Sequence, residues 1–467
     1  MNPVPPLSFD SLPLSPSTLA NLQQLGYLQM TPIQAASLPP ALAGHDLIAQ
    51  AKTGSGKTAA FALCLLAKLN PRRFAVQALV LCPTRELADQ VTQEIRRLAR
   101  GEDNIKVLTL CGGSTMRPQI SSLEHGAHVV VGTPGRIMDH LQRNSLDLAA
   151  LNTLVLDEAD RMLDMGFYDD IAVVAKACPK ERQTLLFSAT YPESIAGMSR
   201  QFMRSPQQVT LPEQHDDTKI RQRFYEIDSE QRLDAVALLL NHYQPVSTLA
   251  FCNTRQQCRD LLDVLRAKGF VALALHGELE QRERDQVLIQ FANRSCSVLV
   301  ATDVAARGLD IDQLEAVINV DVTPDTEIHV HRIGRTGRGD SEGWAFSLVS
   351  GNQMERVVNI EKALGFDVEW HHLNELKPAT GQAPQPPMVT LQILSGRKDK
   401  IRPGDVLGAL TGEAGFTKEQ IGKINVTDTT TYVAVARAIG REAVRKLSAG
   451  TLKGKRVKVH LLQDTAN

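Results

Sequence analysis

Ala51–Thr58 reads AKTGSGKT, set between an apolar segment ending at Ala49 and the helix-like run AAFALCLLAK. Strand, glycine loop, helix is the order in which a phosphate cradle is built. Gly54 and Gly56 let backbone N–H groups approach an anion. Lys57 brings positive charge to β- and γ-phosphate oxygens, and Thr58 offers a hydroxyl to Mg²⁺. Lys52, Thr53 and Ser55 complete the loop. The first position of G-x-x-x-x-G-K-[ST] is Ala51, one methyl more than glycine, which is tolerable at φ below zero. The loop predicts ATP and Mg²⁺ as cofactors inside an α/β fold.

The surrounding pattern agrees. Short β-branched runs alternate with helix-like stretches: Ala78–Cys82, Lys106–Leu110, His128–Val131, Thr153–Leu156 and Thr184–Phe187 in the first half. Thr248–Phe251, Val271–Leu275, Ser297–Val300, Ala316–Val320 and Ala345–Val349 follow in the second. Nearly continuous apolar strands separated by helices indicate parallel sheets covered on both faces. Two α/β domains are expected, over 1–210 and 220–372, joined near the polar stretch LPEQHDDTK (211–219). A Pro- and Ala-rich linker occupies 373–387. Residues 388–467 read β-α-β-β-α-β, with strands at Val389–Leu394, Ile421–Val426, Thr431–Val435 and Arg456–Leu461 and helices at Pro403–Leu410 and Arg441–Leu447. That order suits a ferredoxin-like α+β domain of the RNA-recognition-motif kind.

Asp157–Asp160 reads DEAD directly after LNTLVL. Carboxylates at the carboxyl end of a parallel strand face the crevice where open α/β sheets bind ligands. Asp157 is expected to hold Mg²⁺, largely through water, and Glu158 to polarise the attacking water. Phosphoryl transfer also needs positive charge on the departing group. HRIGRTGR (His331–Arg338) supplies Arg335 and Arg338 as arginine-finger candidates. They lie in the second half, so hydrolysis is expected to require closure of the two domains on ATP.

The seven cysteines include no C-x-x-C pair and lie in apolar segments, which predicts buried free thiols rather than zinc or disulfides. The N-terminus has no basic cluster or apolar segment of the secretory kind, and no apolar run approaches the roughly 18 residues of a membrane span. A cytoplasmic protein is expected. Net charge is −1 over 467 residues, but from Met388 on eight Lys and six Arg face seven acidic residues. That tail carries +7 and leaves −8 on the remainder, so nucleic-acid affinity should concentrate at the C-terminus.

In this order these motifs resemble the DEAD-box RNA helicases, with two RecA-like domains, over about 340 residues from Phe9 to near Gly351. The resemblance implies an RNA-stimulated ATPase that unwinds RNA. Phe9, Gly26-Tyr27 and Thr31-Pro32-Ile33-Gln34 look like the adenine-reading segment, with Gln34 bonding the base and Phe9 stacking near it. Thr84, Arg85, Gly113, Thr133 and Arg136 are implied to hold the RNA backbone from the first domain. Arg255, Gly277, Thr302 and Asp303 are implied to do so from the second. Asp310 is implied to meet the ribose of ATP, and Ser188, Thr190 and Asp160 to couple the nucleotide site to RNA. The residue types suit backbone contacts that carry no base information. Aromatic residues make up only 4%, so the core offers few stacking platforms.

IRPGDVLGALTG (Ile401–Gly412) and IGKI (Ile421–Ile424) resemble the C-terminal domain of the DbpA-type bacterial subfamily. That resemblance implies recognition of a hairpin of large-subunit ribosomal RNA and work on precursor ribosomal particles during ribosome assembly, with the protein a monomer. TTTYVAV carries Tyr432 as its one aromatic, which argues against base stacking on the sheet. The basic edge is the better candidate: Lys398, Lys400, Lys423, Lys453 and Lys455, with Arg397, Lys446, Arg456 and Lys458. Three other readings fit the motifs: a nucleotide-gated RNA clamp that does not unwind, a general RNA remodeller without an rRNA target, and a DNA helicase. Strand-displacement and RNA/DNA competition assays separate them.

Overall fold

The structure is a computed structural model that describes residues 8–51, 54–102, 104–191, 193–210, 219–306, 314–337, 342–377 and 383–462. Lys52, Thr53, Asp310 and Arg338, all expected at the nucleotide site, lie outside the described residues. The chain forms two compact units, one from the residues up to 210 and one from 219 onward.

The first unit is a seven-stranded sheet of β1 (Leu47–Gln50), β2 (Ala78–Leu81), β3 (Val107–Leu110), β4 (Val129–Gly132), β5 (Thr153–Leu156), β6 (Gln183–Ser188) and β7 (Gln207–Thr210). All pairs are parallel, in the order β3-β4-β2-β5-β6-β1-β7. β2, β4, β5 and β6 are buried throughout, as a sheet covered by helices on both faces requires. Two separate cores, one on each face, contain Leu47, Val80 and Phe187 on one side and Ile48, Leu79 and Leu186 on the other.

The second unit repeats the plan. β8 (Ile220–Glu226), β9 (Thr248–Cys252), β10 (Ala272–Leu275), β11 (Val298–Thr302), β12 (Ala316–Asn319), β13 (Gly343–Val349) and β14 (Trp370–His371) run parallel in the order β10-β11-β9-β12-β13-β8-β14. All seven cysteines are buried free thiols. Among the described residues no helix is long and apolar enough to cross a membrane.

The same unit carries an antiparallel sheet of β15 (Met388–Ile393), β16 (Ile421–Val426), β17 (Thr431–Ala436) and β18 (Val459–Leu461), in the order β16-β17-β15-β18. The outer strands flank the first and third of the four, as in a ferredoxin-like sheet. Leu391, Ile393, Val433 and Val435 point to one face and pack on the helices Pro403–Gly408 and Gly440–Ala449 through Val406, Ala443 and Leu447. By strand alternation Thr390, Tyr432 and Ala434 belong to the opposite face. That face is also buried, with Thr390 at 0% and Tyr432 at 5% exposure. It is covered by residues around the end of the helix Gln281–Ala292. Asn293 Nδ2 donates to Thr390 Oγ1 at 3.1 Å, Ser295 Oγ lies 2.7 Å from the same hydroxyl, and Gln286 Nε2 is 3.5 Å from Tyr432 Oη.

Candidate nucleotide and RNA site

Every motif singled out in the first unit's sheet follows the carboxyl end of a strand. The glycine loop follows β1, Pro83-Thr84-Arg85 follows β2, Gly112-Gly113 follows β3, Thr133 follows β4 and Asp157 follows β5, while Ser188 closes β6. Parallel topology therefore gathers them on one rim.

Gly54 and Gly56 take φ of +82° and +97°, a conformation only glycine adopts without strain. Gly56 precedes the helix Lys57–Ala67, whose first turn presents N–H groups toward an anion. Lys57 is 6% exposed, and its Nζ donates to Ala51 O at 2.8 Å, which holds the ammonium across the mouth of the loop. Gln34 is 1% exposed and fixes the loop from beneath. Its Oε1 accepts from Thr31 N at 2.9 Å and its Nε2 donates to Gly56 O at 3.1 Å. The amide expected to meet adenine thus also ties the helix Pro32–Leu42 to the glycine loop. Phe9 is buried edge-on against Tyr27, with ring centroids 6.3 Å apart.

Asp157 is 2% exposed. Burial pushes its carboxyl up to about 7, Glu158 adds to the rise, and Lys57 opposes it. A Mg²⁺ shared by Thr58 and Asp157 would restore the charged form, so the donor set fits the ion. Among the described residues no group of three or more His, Cys, Asp or Glu could hold a metal ion. Glu158 sits at φ 52°, ψ 52°, left-handed backbone that a residue with a Cβ enters at a cost of about 1 kcal/mol or more. Its Oε2 accepts from Arg161 Nη1 at 2.7 Å, and both side chains are buried. Burial raises the Asp160 carboxyl, but the Thr190 N–H, Lys57 and Arg161 outweigh it and hold the group below its ordinary value. Asp160 Oδ2 accepts from Ala189 N and Thr190 N, both at 3.0 Å, and from Thr190 Oγ1 at 3.2 Å. Ser188 is buried and its hydroxyl has no hydrogen-bond partner among the described residues.

On the same rim Thr84 caps the helix Arg85–Leu98, accepting from Leu87 N, and Arg85 lies 3.9 Å from Asp89. Arg136 Nη1 donates to Ser114 O and Gln119 Oε1, each at 3.1 Å, and so braces the loop of Gly113, whose φ is +73°. In the second unit Arg255 pairs with Glu278 at 3.0 Å, beside exposed Gly277. Thr302 ends β11 and Asp303 opens the next helix, where Arg332 grips it at 2.7 Å. Arg335 is 6% exposed, immediately beyond the helix Thr326–Ile333.

Residues 31–198 match the DEAD/DEAH box helicase family, 231–340 the helicase conserved C-terminal domain and 390–461 the DbpA RNA binding domain. The ATP-dependent RNA helicase DbpA of Escherichia coli (strain K12) is 51% identical over 452 residues, 96% of this chain and 98% of that one. The chain belongs to the DbpA-type DEAD-box helicases. It is an ATP-dependent RNA helicase with an RNA-binding domain at its C-terminal end. The helicase CshA of Bacillus cereus (strain ATCC 10987 / NRS 248) is 42% identical over 356 residues, 76% of this chain and 68% of that one. The structure of S. cerevisiae Dbp5 bound to RNA and ADP BeF3 aligns with a TM-score of 0.72 at 31% identity, covering 79% of this chain and 96% of that one.

In this DbpA-type helicase the expected RNA-contacting lysines of the C-terminal domain divide. Lys398 and Lys400 sit on a loop bonded to the β16–β17 turn, where Arg397 N donates to Thr427 O and Lys398 N to Asp428 O. Lys453 Nζ donates to Lys400 O at 2.7 Å and pairs with Asp405 at 3.1 Å, which brings the Lys453–Lys455 turn to the same end. Lys423 lies within β16. Lys446 is committed to Glu442 and to the ring of Phe416. Arg161 and Arg332, which sequence reasoning passed over, are the buried partners of Glu158 and Asp303. The spacing from Glu158 to Arg161, one helical turn, was a signal for the first.

Proposed function

We propose that this helicase couples ATP hydrolysis to local unwinding of RNA duplexes near a hairpin of large-subunit ribosomal RNA, during ribosome assembly in the cytoplasm, as a monomer. The supporting observation is the basic domain matching the DbpA RNA binding domain, joined in one chain to a complete glycine loop and DEAD site. In this reading 1–210 and 220–372 are the ATPase halves, 373–387 the tether and 388–467 the targeting module.

The glycine loop, Ala51 to Thr58, holds the phosphates, and Gln34 and Phe9 shape the adenine end. Asp310 meets the ribose. Thr58 and Asp157 would hold a Mg²⁺ with ATP, which would supply positive charge against the phosphates. Glu158 polarises the attacking water, and Arg335 and Arg338 are the arginine fingers for the γ-phosphate. Thr84, Arg85, Gly113, Thr133 and Arg136, with Arg255, Gly277, Thr302 and Asp303, hold the RNA backbone. Asp160, through Thr190 and the β6 end at Ser188, carries the nucleotide state to that surface. Lys398, Lys400, Lys423, Lys453 and Lys455 hold the hairpin.

The test is RNA-stimulated ATPase with a large-subunit rRNA hairpin fragment and an unrelated RNA of equal length. It compares the whole chain, a truncation after Pro387, and a full-length protein with Lys398, Lys400 and Lys455 changed to Glu. Preference for the hairpin only in the unaltered chain supports targeting. Equal response of all three proteins to both RNAs reduces the function to general RNA remodelling.

A further inference from the structure

Gln119 stands on the helix Met116–Glu124, none of whose residues is buried. Its amide reaches four groups. Nε2 donates to Cys111 O at 3.0 Å and to Ser114 Oγ at 2.7 Å. Oε1 accepts from Arg136 Nη1 at 3.1 Å and lies 2.9 Å from His140 Nε2. The amide's orientation is fixed at both ends. A guanidinium nitrogen only donates and a backbone carbonyl only accepts, so a flipped amide would lose both bonds. His140 is fully buried on the helix Pro134–Gln142. Its Nε2 faces an oxygen and so carries a proton, while Nδ1 lies 2.8 Å from Ser145 Oγ. Burial, with Arg136 beside it, holds the imidazole below its ordinary value and so uncharged at neutral pH.

Those four groups belong to two segments of the rim. Cys111 and Ser114 bracket Gly112-Gly113, after β3, and Arg136 and His140 lie on the helix that Thr133 precedes, after β4. Gly113 and Ser114 are exposed, and Gly113 takes its φ of +73°. An exposed glycine loop without anchors visits many conformations, and ordering it on binding costs free energy. Arg136 Nη1 spends both of its hydrogens on Ser114 O and Gln119 Oε1, which leaves Nη2 for a phosphate. One amide thus holds the glycine loop and the guanidinium at a set spacing before any RNA arrives.

We propose that Gln119 is a positioning residue for RNA on the first unit, holding the Gly113 loop and the Arg136 guanidinium in the arrangement that receives one stretch of RNA backbone. It touches neither RNA nor nucleotide in this role. The inference rests on the assignment of Gly113, Thr133 and Arg136 to RNA proposed above.

Five full-length proteins test it: wild type, Q119L, S114A, S145A and R136Q. The probe is a single-stranded RNA without a hairpin, so that the C-terminal domain does not set the affinity. Its binding is read by fluorescence anisotropy with a non-hydrolysable ATP analogue. Melting temperature, the KM for ATP and the ATPase rate at saturating RNA are measured beside it. Leu fills the place of the amide without its bonds. Q119L should therefore raise half-saturating RNA about five- to tenfold, while the KM for ATP and the saturated rate stay within about twofold. S114A, which removes one partner of Nε2, should raise half-saturating RNA about two- to fivefold. S145A removes the hydroxyl on the far side of His140 and should lower the melting temperature while half-saturating RNA stays within about twofold. R136Q removes a contact itself and should raise half-saturating RNA about tenfold or more.

A merely structural Gln119 predicts otherwise. Either Q119L lowers melting with half-saturating RNA unchanged, or S145A moves half-saturating RNA as far as Q119L does, and each result overturns the proposal. A loss in Q119L that appears equally in the KM for ATP overturns it too, because the fault is then general. If Q119L does not fold, the contrast between S114A and S145A decides by the same rule. R136Q separates the two kinds of failure. If R136Q weakens RNA binding and Q119L does not, the RNA assignment stands and the positioning role falls. If neither does, or if the wild type does not bind this RNA, the assignment is wrong and the proposal falls with it. An effect of Q119L without one of R136Q also overturns the proposal, since Arg136 then holds no RNA.

Discussion

Glu158→Gln keeps the side chain's volume and its bond to Arg161 but removes the carboxylate proposed to polarise the attacking water. ATP turnover with saturating RNA should fall by about 10² to 10⁴ while nucleotide binding persists. Single-turnover hydrolysis with a parallel nucleotide-binding titration checks both halves of that expectation. A second expectation concerns stability. His329 is fully buried with neither ring nitrogen hydrogen-bonded among the described residues, and burial, aided by Arg332, pushes it down to about 4 from 6.5. Between those values the unfolded chain binds a proton that the folded chain refuses. The contribution is neutral above pH 6.5, and stability is lost as pH falls through the window from 6.5 toward 4. At pH 5 the loss at this site is about 2 kcal/mol. Denaturant unfolding at pH 5 and pH 7.5 should show His329→Phe losing less between the two pH values than the wild type, by about that amount.

At the scale of elements, the glycine loop and the buried sheet face are the places where one atom decides a junction. A Cβ on Gly56 would sit 2.6 Å from Gln34 Nε2, at a φ of +97°. Gly56→Ala should therefore weaken ATP binding at least about tenfold, through about 1–2 kcal/mol of left-handed strain and loss of the Gln34 brace. Titration with a fluorescent ATP analogue measures it. Thr390→Val removes the hydroxyl that Asn293 and Ser295 share and strands both in a buried seam, at about 1–3 kcal/mol. Limited proteolysis should then release the C-terminal domain faster, with the ATPase of the core retained.

The same elements show what local pattern carries. β2, β4, β5, β9, β11 and β12 were legible because a strand covered on both faces must be apolar throughout. β7, β8 and β14 were not. β7 is an exposed edge strand with two glutamines, β8 carries two arginines, and β14 has two residues. The motif residues were legible by type and order, and the strand ends collect them. Arg332 was not, because nothing local distinguishes a buried arginine from a surface one in HRIGRTGR. Its burial comes from three strands that meet only in the fold. The covering of Tyr432 likewise depends on packing between segments 146 residues apart.

For the whole molecule, charge is the governing quantity. A tail of +7 on a body of −8 makes RNA capture a local electrostatic event. Replacing Lys398, Lys400 and Lys455 with Gln should flatten the dependence of log affinity on log salt by about 0.7–0.9 for each phosphate left without its lysine. Filter binding of a hairpin RNA across a salt series reads the slope. An unchanged slope would move the RNA-binding face away from the end of the domain where Lys398, Lys400 and Lys455 gather.

The left-handed backbone at Glu158 has a consequence for how such an enzyme changes over generations. Glycine there would relax the backbone, but it would also leave the buried Arg161 guanidinium without its carboxylate, the larger cost, so heat resistance and turnover would favour the same residue.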